Sequence, residues 1–153
     1  MEKLDARKRY TQMVLKQSFL ELLKEKPVSR ITVKEVCALA QLNRATFYAH
    51  FSDCFALMES IENELIDAFE KSLRYVNSFD VTALIEAIYD MVDQNQEACR
   101  VLILGNTSST VLMRMIALAK EDSIAYWRKE LPNASETELE MMYTHLSNGL
   151  MHV

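Results

Sequence analysis

Two glycines and two prolines are all the chain-breaking residues in 153. A sandwich or barrel of short strands needs turn signals roughly every 8–12 residues, and this chain cannot supply them. No stretch alternates apolar and polar residues between such signals as a half-buried strand would. Cysteine is also sparse. Cys37, Cys54 and Cys99 are odd in number and widely spaced, so we expect free thiols in a reducing cytoplasm rather than a disulfide framework. No run approaches the roughly eighteen consecutive apolar residues of a membrane span. The start, "MEKLDARKRY", is charged and leads into no apolar signal segment. Neither a membrane association nor secretion is expected. A nucleophile beside a base, a glycine loop to cradle phosphate and metal-ligand spacing are all missing. We therefore expect no enzyme, no catalytic residue, no metal and no cofactor.

What is present favours helix. Half of the residues are hydrophobic, enough for a sizeable core, and Leu, Ala, Met, Glu and Lys dominate the rest of the pattern. The net charge is −5, yet it is unevenly spread. Through Ser52, ten lysines and arginines oppose five acids; from Asp53 onward, seven bases face seventeen acids. A basic head on an acidic body suits a protein that offers one end to a polyanion.

A first helix is expected from Asp5 to Glu25, with Leu15, Ser18, Phe19, Leu22 and Leu23 on one face, and Pro27 beyond its end. Thr32-x-x-Glu35 has the form of a capping box and opens a second, short helix whose Val33, Val36, Cys37 and Ala40 share a face. Gln41 and Leu42 form a tight turn. Asn43 suits the N-cap of a third helix, from Arg44 to about His50. Asp53 is a candidate cap for a long fourth helix with Met58, Ile61, Leu65, Phe69, Ser72 and Val76 in a stripe. Further helices are expected from Thr82 to about Gln96, through "EACRVLIL", from Thr110 to Glu130, and after a second capping box at Ser135-x-x-Glu138. The fold class is all-α.

Residues 32–51 form a short helix, a tight turn and a second short helix, the arrangement of a helix-turn-helix. At 100° per residue, Phe47 and Phe51 mark the buried side of the third helix, which leaves Ala45 and Ala49 on the opposite side. Alanines there let the backbone approach a groove floor, and Arg44 can fork onto guanine. Thr46, Tyr48 and His50 fall where phosphates flank the groove, and Thr32 and Lys34 can hold the backbone of the other strand. The amide end of the second helix also favours an anion. Asn43 completes the expected DNA-contacting set.

"ITVKEVCALAQLNRATFYAHFSDCFAL" resembles the N-terminal domain of the TetR family of bacterial transcription regulators. Thr32, Val36, Ala40, Leu42, Asn43, Thr46, Phe47, Tyr48, His50, Phe51 and Leu57 stand at positions of its pattern, and the likeness covers about residues 10–60. Two positions depart. The family's turn glycine is Gln41 here, where a positive φ costs a non-glycine residue about 1 kcal/mol. The lysine common at the start of the family's fourth helix, often a phosphate ligand, is Cys54, so restoring it with Cys54→Lys is expected to add a backbone contact.

The resemblance implies an N-terminal three-helix DNA-binding domain (1–52) on a long connecting helix, and a C-terminal helical bundle (53–153) for regulation and dimerisation. It implies a sequence-specific regulator that binds a double-stranded operator as a homodimer and answers to a small-molecule or protein effector. The competing reading is a helical protein-interaction module that has lost specific DNA binding. On the last helix, Leu139, Met142, Tyr143, Leu146 and Leu150 form an apolar stripe suited to a dimer interface, with Gly149 permitting close approach. Tyr89, Met91, Met113, Met115, Tyr126, Trp127 and Met141 are candidate pocket liners, although methionines fill irregular cores equally well. Family members usually continue for another helix beyond this point, so a C-terminal continuation past Val153 is expected. The "RITVKEV" and "MMYTHLSNGLMHV" segments are similar to a branch that includes a regulator of dihydroxyacetone utilisation, which points toward a protein effector.

Overall fold

The computed structural model describes residues 2–73, 81–105 and 110–150; for residues 2–5, 81, 84 and 150 it describes the backbone alone. Among the described residues there are eight α-helices and no strand: α1 Glu2–Glu25, α2 Val33–Ala40, α3 Arg44–Tyr48, α4 Cys54–Leu73, α5 Val81–Gln94, α6 Gln96–Leu102, α7 Thr110–Glu130 and α8 Glu136–Leu150. A single 3-10 turn, Val28–Arg30, follows Pro27. No helix among the described residues is long and apolar enough to cross a membrane.

The chain divides into two compact units, Met1–Leu65 with Gln96–Ser108, and Ile66–Asn95 with Ser109–Val153. The division falls inside α4, and α6 belongs with the first unit, where it packs on α1.

In the first unit α1 packs on α2 and α2 on α3. Leu15, Phe19, Leu20 and Leu23 of α1 meet a core built from Val36, Phe47, Leu57, Ile61 and Leu65. Leu20 is buried where Leu22 was expected, and Leu57 is fully buried while Met58 is only half-buried. Leu57 and Met58 stand about 100° apart round the helix and Leu20 and Leu22 about 200°, so the elements packed against each helix, and not the spacing alone, set the buried arc. Ion pairs fasten the margins: Lys16 Nζ lies 2.5 Å from Glu64, Lys24 Nζ 2.6 Å from Glu97, and Lys26 Nζ 2.5 Å from Glu35.

In the second unit α7 packs on α8. Met91, Val111, Met115, Ile124 and Leu139 are buried. Buried Ser72 donates its hydroxyl to the carbonyls of Ala68 and Ala87, both at 3.2 Å, which ties α4 to α5. The second capping box forms: Ser135 N donates to Glu138 Oε2 at 2.7 Å and Glu138 N to Ser135 Oγ at 3.3 Å. Val76, placed in the stripe of the fourth helix, lies outside the described residues.

Candidate nucleic-acid interface

The hairpin of helices is set by its caps. At the start of α2, Glu35 N donates to Thr32 Oγ1 at 3.3 Å, while Thr32 N and Thr32 Oγ1 donate to Glu35 Oε2 at 2.9 and 2.8 Å. Lys26 Nζ donates to the other carboxylate oxygen. These donors, Lys26 first, hold the Glu35 carboxyl at about 2, well below the usual carboxylate value. At the end of α2, Gln41 takes φ 54° and ψ 39°. It is the one positive-φ residue other than glycine among the described residues. Its left-handed backbone turns the chain so that Leu42 N reaches Cys37 O at 2.9 Å, closing the helix end.

Asn43 then caps α3. Its Oδ1 accepts from Thr46 N at 2.7 Å and from Thr46 Oγ1 at 2.9 Å. The helix is shorter than expected and ends at Tyr48, with Ala49 N and Phe51 N closing onto Ala45 O and Phe47 O. Five residues cannot hold a helix alone; packing holds this one. Phe47 is fully buried and Phe51 8% exposed, their rings 5.9 Å apart. The opposite side is open: Arg44, Ala45, Tyr48 and Ala49 are all exposed. Tyr48, at 57% exposure, stands edge-on to Phe47 with ring centroids 5.6 Å apart.

Geometry sorts the expected contact residues by what they still have to offer. Arg44 and Lys34 are exposed cations and enter no ion pair among the described residues. Thr32 differs. Its hydroxyl proton and its amide are both committed to Glu35, so the expected donation to a phosphate has no hydrogen left to make it. The amide end of α2, expected to favour an anion, already carries the carboxylate of Glu35. Thr46 has likewise given its hydroxyl proton to Asn43. The groups on this face that remain able to donate are Arg44, the Tyr48 hydroxyl, the Asn43 amide nitrogen, Lys34 and the imidazole of half-buried His50. His50 Nδ1 is buried with no partner, so Nε2 is the nitrogen that can face outward. Arg30, exposed and two residues before the Thr32 cap, adds a cation that pattern matching missed. Its signal was the charge itself, just ahead of a helix start.

Cys54 corrects an expectation. It is 6% exposed, so the position turns into the core instead of toward a backbone phosphate, and a lysine there would have to bury its stem. Burial raises the Cys37, Cys54 and Cys99 thiols above their ordinary value, with Asp53 adding to the effect at Cys54. Asp53 itself caps α4, its Oδ1 accepting from Ala56 N at 2.8 Å.

In the second unit the seven expected pocket liners differ in burial. Met91 and Met115 are buried at 7% and 5% exposure, Tyr89 and Met113 lie open at 70% and 47%, and Tyr126 and Trp127 are half-buried. Only Met141 of the seven borders the roughly 700 Å³ groove at the α7–α8 corner, which Leu131, Met142 and His145 also line. The stripe expected at a dimer interface also splits. Leu139 is fully buried in its own unit, and the Tyr143 hydroxyl donates to Ile116 O on α7, with its ring 6.1 Å from that of Trp127. Both serve the packing of α7 on α8. Met142 and Leu146 remain exposed, and the Leu150 side chain is outside the described set.

No family model matches the chain. The uncharacterized HTH-type transcriptional regulator YxbF of Bacillus subtilis is 29% identical over 59 residues, which is 39% of this chain and 16% of that relative. The chain thus aligns with about a sixth of the length of this curated relative. A TetR transcriptional regulator from Streptococcus agalactiae has the same fold, with a TM-score of 0.67 at 22% identity, covering 97% of this chain and 85% of that one.

Proposed function

We propose that the chain is a DNA-binding transcriptional regulator of the TetR type, which reads a double-stranded operator with the exposed side of α3. The observation that carries this reading is the pairing of a fully buried Phe47 with an open Ala45–Ala49 side. A helix anchored in that way can enter a major groove with its backbone close to the base edges. Arg44, at its start, reads a guanine. Lys34, Arg30, Tyr48, Asn43 and His50 hold phosphates and fix the register. The fold likeness to a TetR regulator and the local match to an HTH-type regulator both support this assignment.

Residues 1–52 do the reading, and residues 53–153 carry dimerisation and control. The protein acts as a homodimer, with exposed Met142 and Leu146 on α8 among the residues that meet the second copy. Its half-sites then lie about one helical turn apart, roughly 34–36 Å. An effector, a small molecule or a protein, binds the second unit and shifts DNA affinity. The groove beside Met141 and His145 is a candidate place for it.

Selecting bound duplexes from a random pool, followed by salt-titrated binding of the winner, tests the proposal. A recurrent palindromic sequence bound far more tightly than random DNA is expected. Micromolar, sequence-blind binding at physiological salt would instead favour the interaction module. The cap-committed hydroxyls of Thr32 and Thr46 are the observation on that side.

A further inference from the structure

The lysines of the first unit that lie along its packed margins are matched to carboxylates. Lys16, Lys24 and Lys26 each sit within 2.9 Å of at least one, on Glu64, Glu21, Glu97 or Glu35. The cations near the start of α1 are not. Arg7, Lys8 and Arg9 are exposed and enter no ion pair among the described residues, the same condition as Arg44 and Lys34. Residues 6–15 contain no acid at all, so the i+3 and i+4 positions offer these three cations no partner along the helix. On the other side Asp5 alone stands three or four residues before any of them, one acid against three bases.

Burial singles out the same turns. Leu15 is the first buried residue of α1 among those described, and residues 6–10 are all exposed. At 1.5 Å per residue, Arg7 lies about 12 Å along the helix axis from Leu15. Residues 6–10, a little over one turn, are wholly exposed, while Thr11, Gln12 and Val14 beyond them are half-buried. The exposed turn carries three like charges, which repel one another until an anion lies alongside. Charges held on so exposed a turn are open to an anion from outside the chain. In a chain of net charge −5, free cations gathered on the same compact unit as α3 fit a polyanion of regularly spaced phosphates.

We propose that Arg7, Lys8 and Arg9 bind the phosphate backbone of the operator outside the stretch read by α3, a proposal that rests on the DNA-binding reading above. They add affinity and lengthen the footprint without changing which sequence is preferred.

The test compares the full chain with its Arg7→Gln/Lys8→Gln/Arg9→Gln variant on the selected duplex. Glutamine keeps helix propensity and removes charge. Removing one cation from a phosphate should flatten the slope of log K against log salt by about 0.9, so removing three flattens it by up to about 2.7. Base preference should stay as in the parent, and ethylation interference at the outer phosphates should vanish. The Arg7→Lys/Arg9→Lys variant keeps the charge and should keep the slope. A triple variant with the parent's slope and footprint overturns the inference while leaving the role of α3 intact. Should the parent itself bind without sequence preference, the reading of α3 fails. A flattened slope on random DNA would then still support the α1 contact.

Discussion

Replacing Gln41 with glycine should stabilise this protein, and the backbone says by how much. Gln41 ends α2 at φ 54° and ψ 39°, in the left-handed region where a Cβ crowds the following carbonyl at a cost of about 1 kcal/mol. Its side chain is exposed, so little packing is given up with it. The closing bond from Leu42 N to Cys37 O depends on the backbone alone and survives the change. Glycine also frees the unfolded chain, which returns part of the benefit. The net gain expected for Gln41→Gly is up to about 0.6 kcal/mol, the strain of about 1 kcal/mol less about 0.4–1 kcal/mol returned through the unfolded chain. For a unit of 60–100 residues, 1 kcal/mol moves Tm by roughly 4–8 °C. Gln41→Ala keeps the crowded Cβ and should gain nothing; Gln41→Asn, whose side chain tolerates the left-handed region, should fall between. Urea and thermal unfolding followed by circular dichroism would rank the three. If alanine stabilised as much as glycine, the strain argument would be refuted.

Three other outcomes follow from the same unit. The Glu35 carboxyl titrates at about 2 in the folded protein against an ordinary 4.5, so its contribution is complete above the ordinary value and is lost as pH falls through about 2; the urea midpoint should decline across that window, and Glu35→Gln should flatten the decline. Arg44→Ala should cost about 1–3 kcal/mol of DNA binding and relax the preference at one base pair per half-site, whereas Lys34→Ala should weaken all sequences alike; identical behaviour of the two on every duplex would contradict the division into base and phosphate contacts. Phe47→Ala removes a fully buried ring and should destabilise the first unit by about 3–5 kcal/mol, read as a fall in the urea midpoint; a drop below about 1 kcal/mol would mean that the ring does not anchor α3.

The caps were legible because each joins residues three apart along the chain. Thr32 with Glu35, Ser135 with Glu138, Asn43 with Thr46 and Asp53 with Ala56 all formed as their spacing indicates. The all-α class followed from scarce breakers and helical periodicity, and α7 runs from Thr110 to Glu130 as expected. The open side of α3 was legible too, because two phenylalanines four apart leave no other choice of buried face.

Other features depended on distant partners. That Leu20 is buried while Leu22 is not, and that Cys54 turns inward, depends on what packs against α1 and α4. The candidate pocket liners follow no spacing rule: aromatic and methionine side chains suit a core, a groove or open surface alike, and the seven differ in burial accordingly. Charge shows the division most plainly. The sequence alone determined that bases crowd the first third of the chain and acids the remainder. Only the tertiary structure decided which bases stay available, by bringing Glu64, Glu97 and Glu35 to Lys16, Lys24 and Lys26 and leaving Arg7, Lys8, Arg9, Lys34 and Arg44 without ion-pair partners among the described residues. A count of charges is a property of composition, whereas an ion pair is a distance, and distances between residues far apart in the chain exist only once helices have packed.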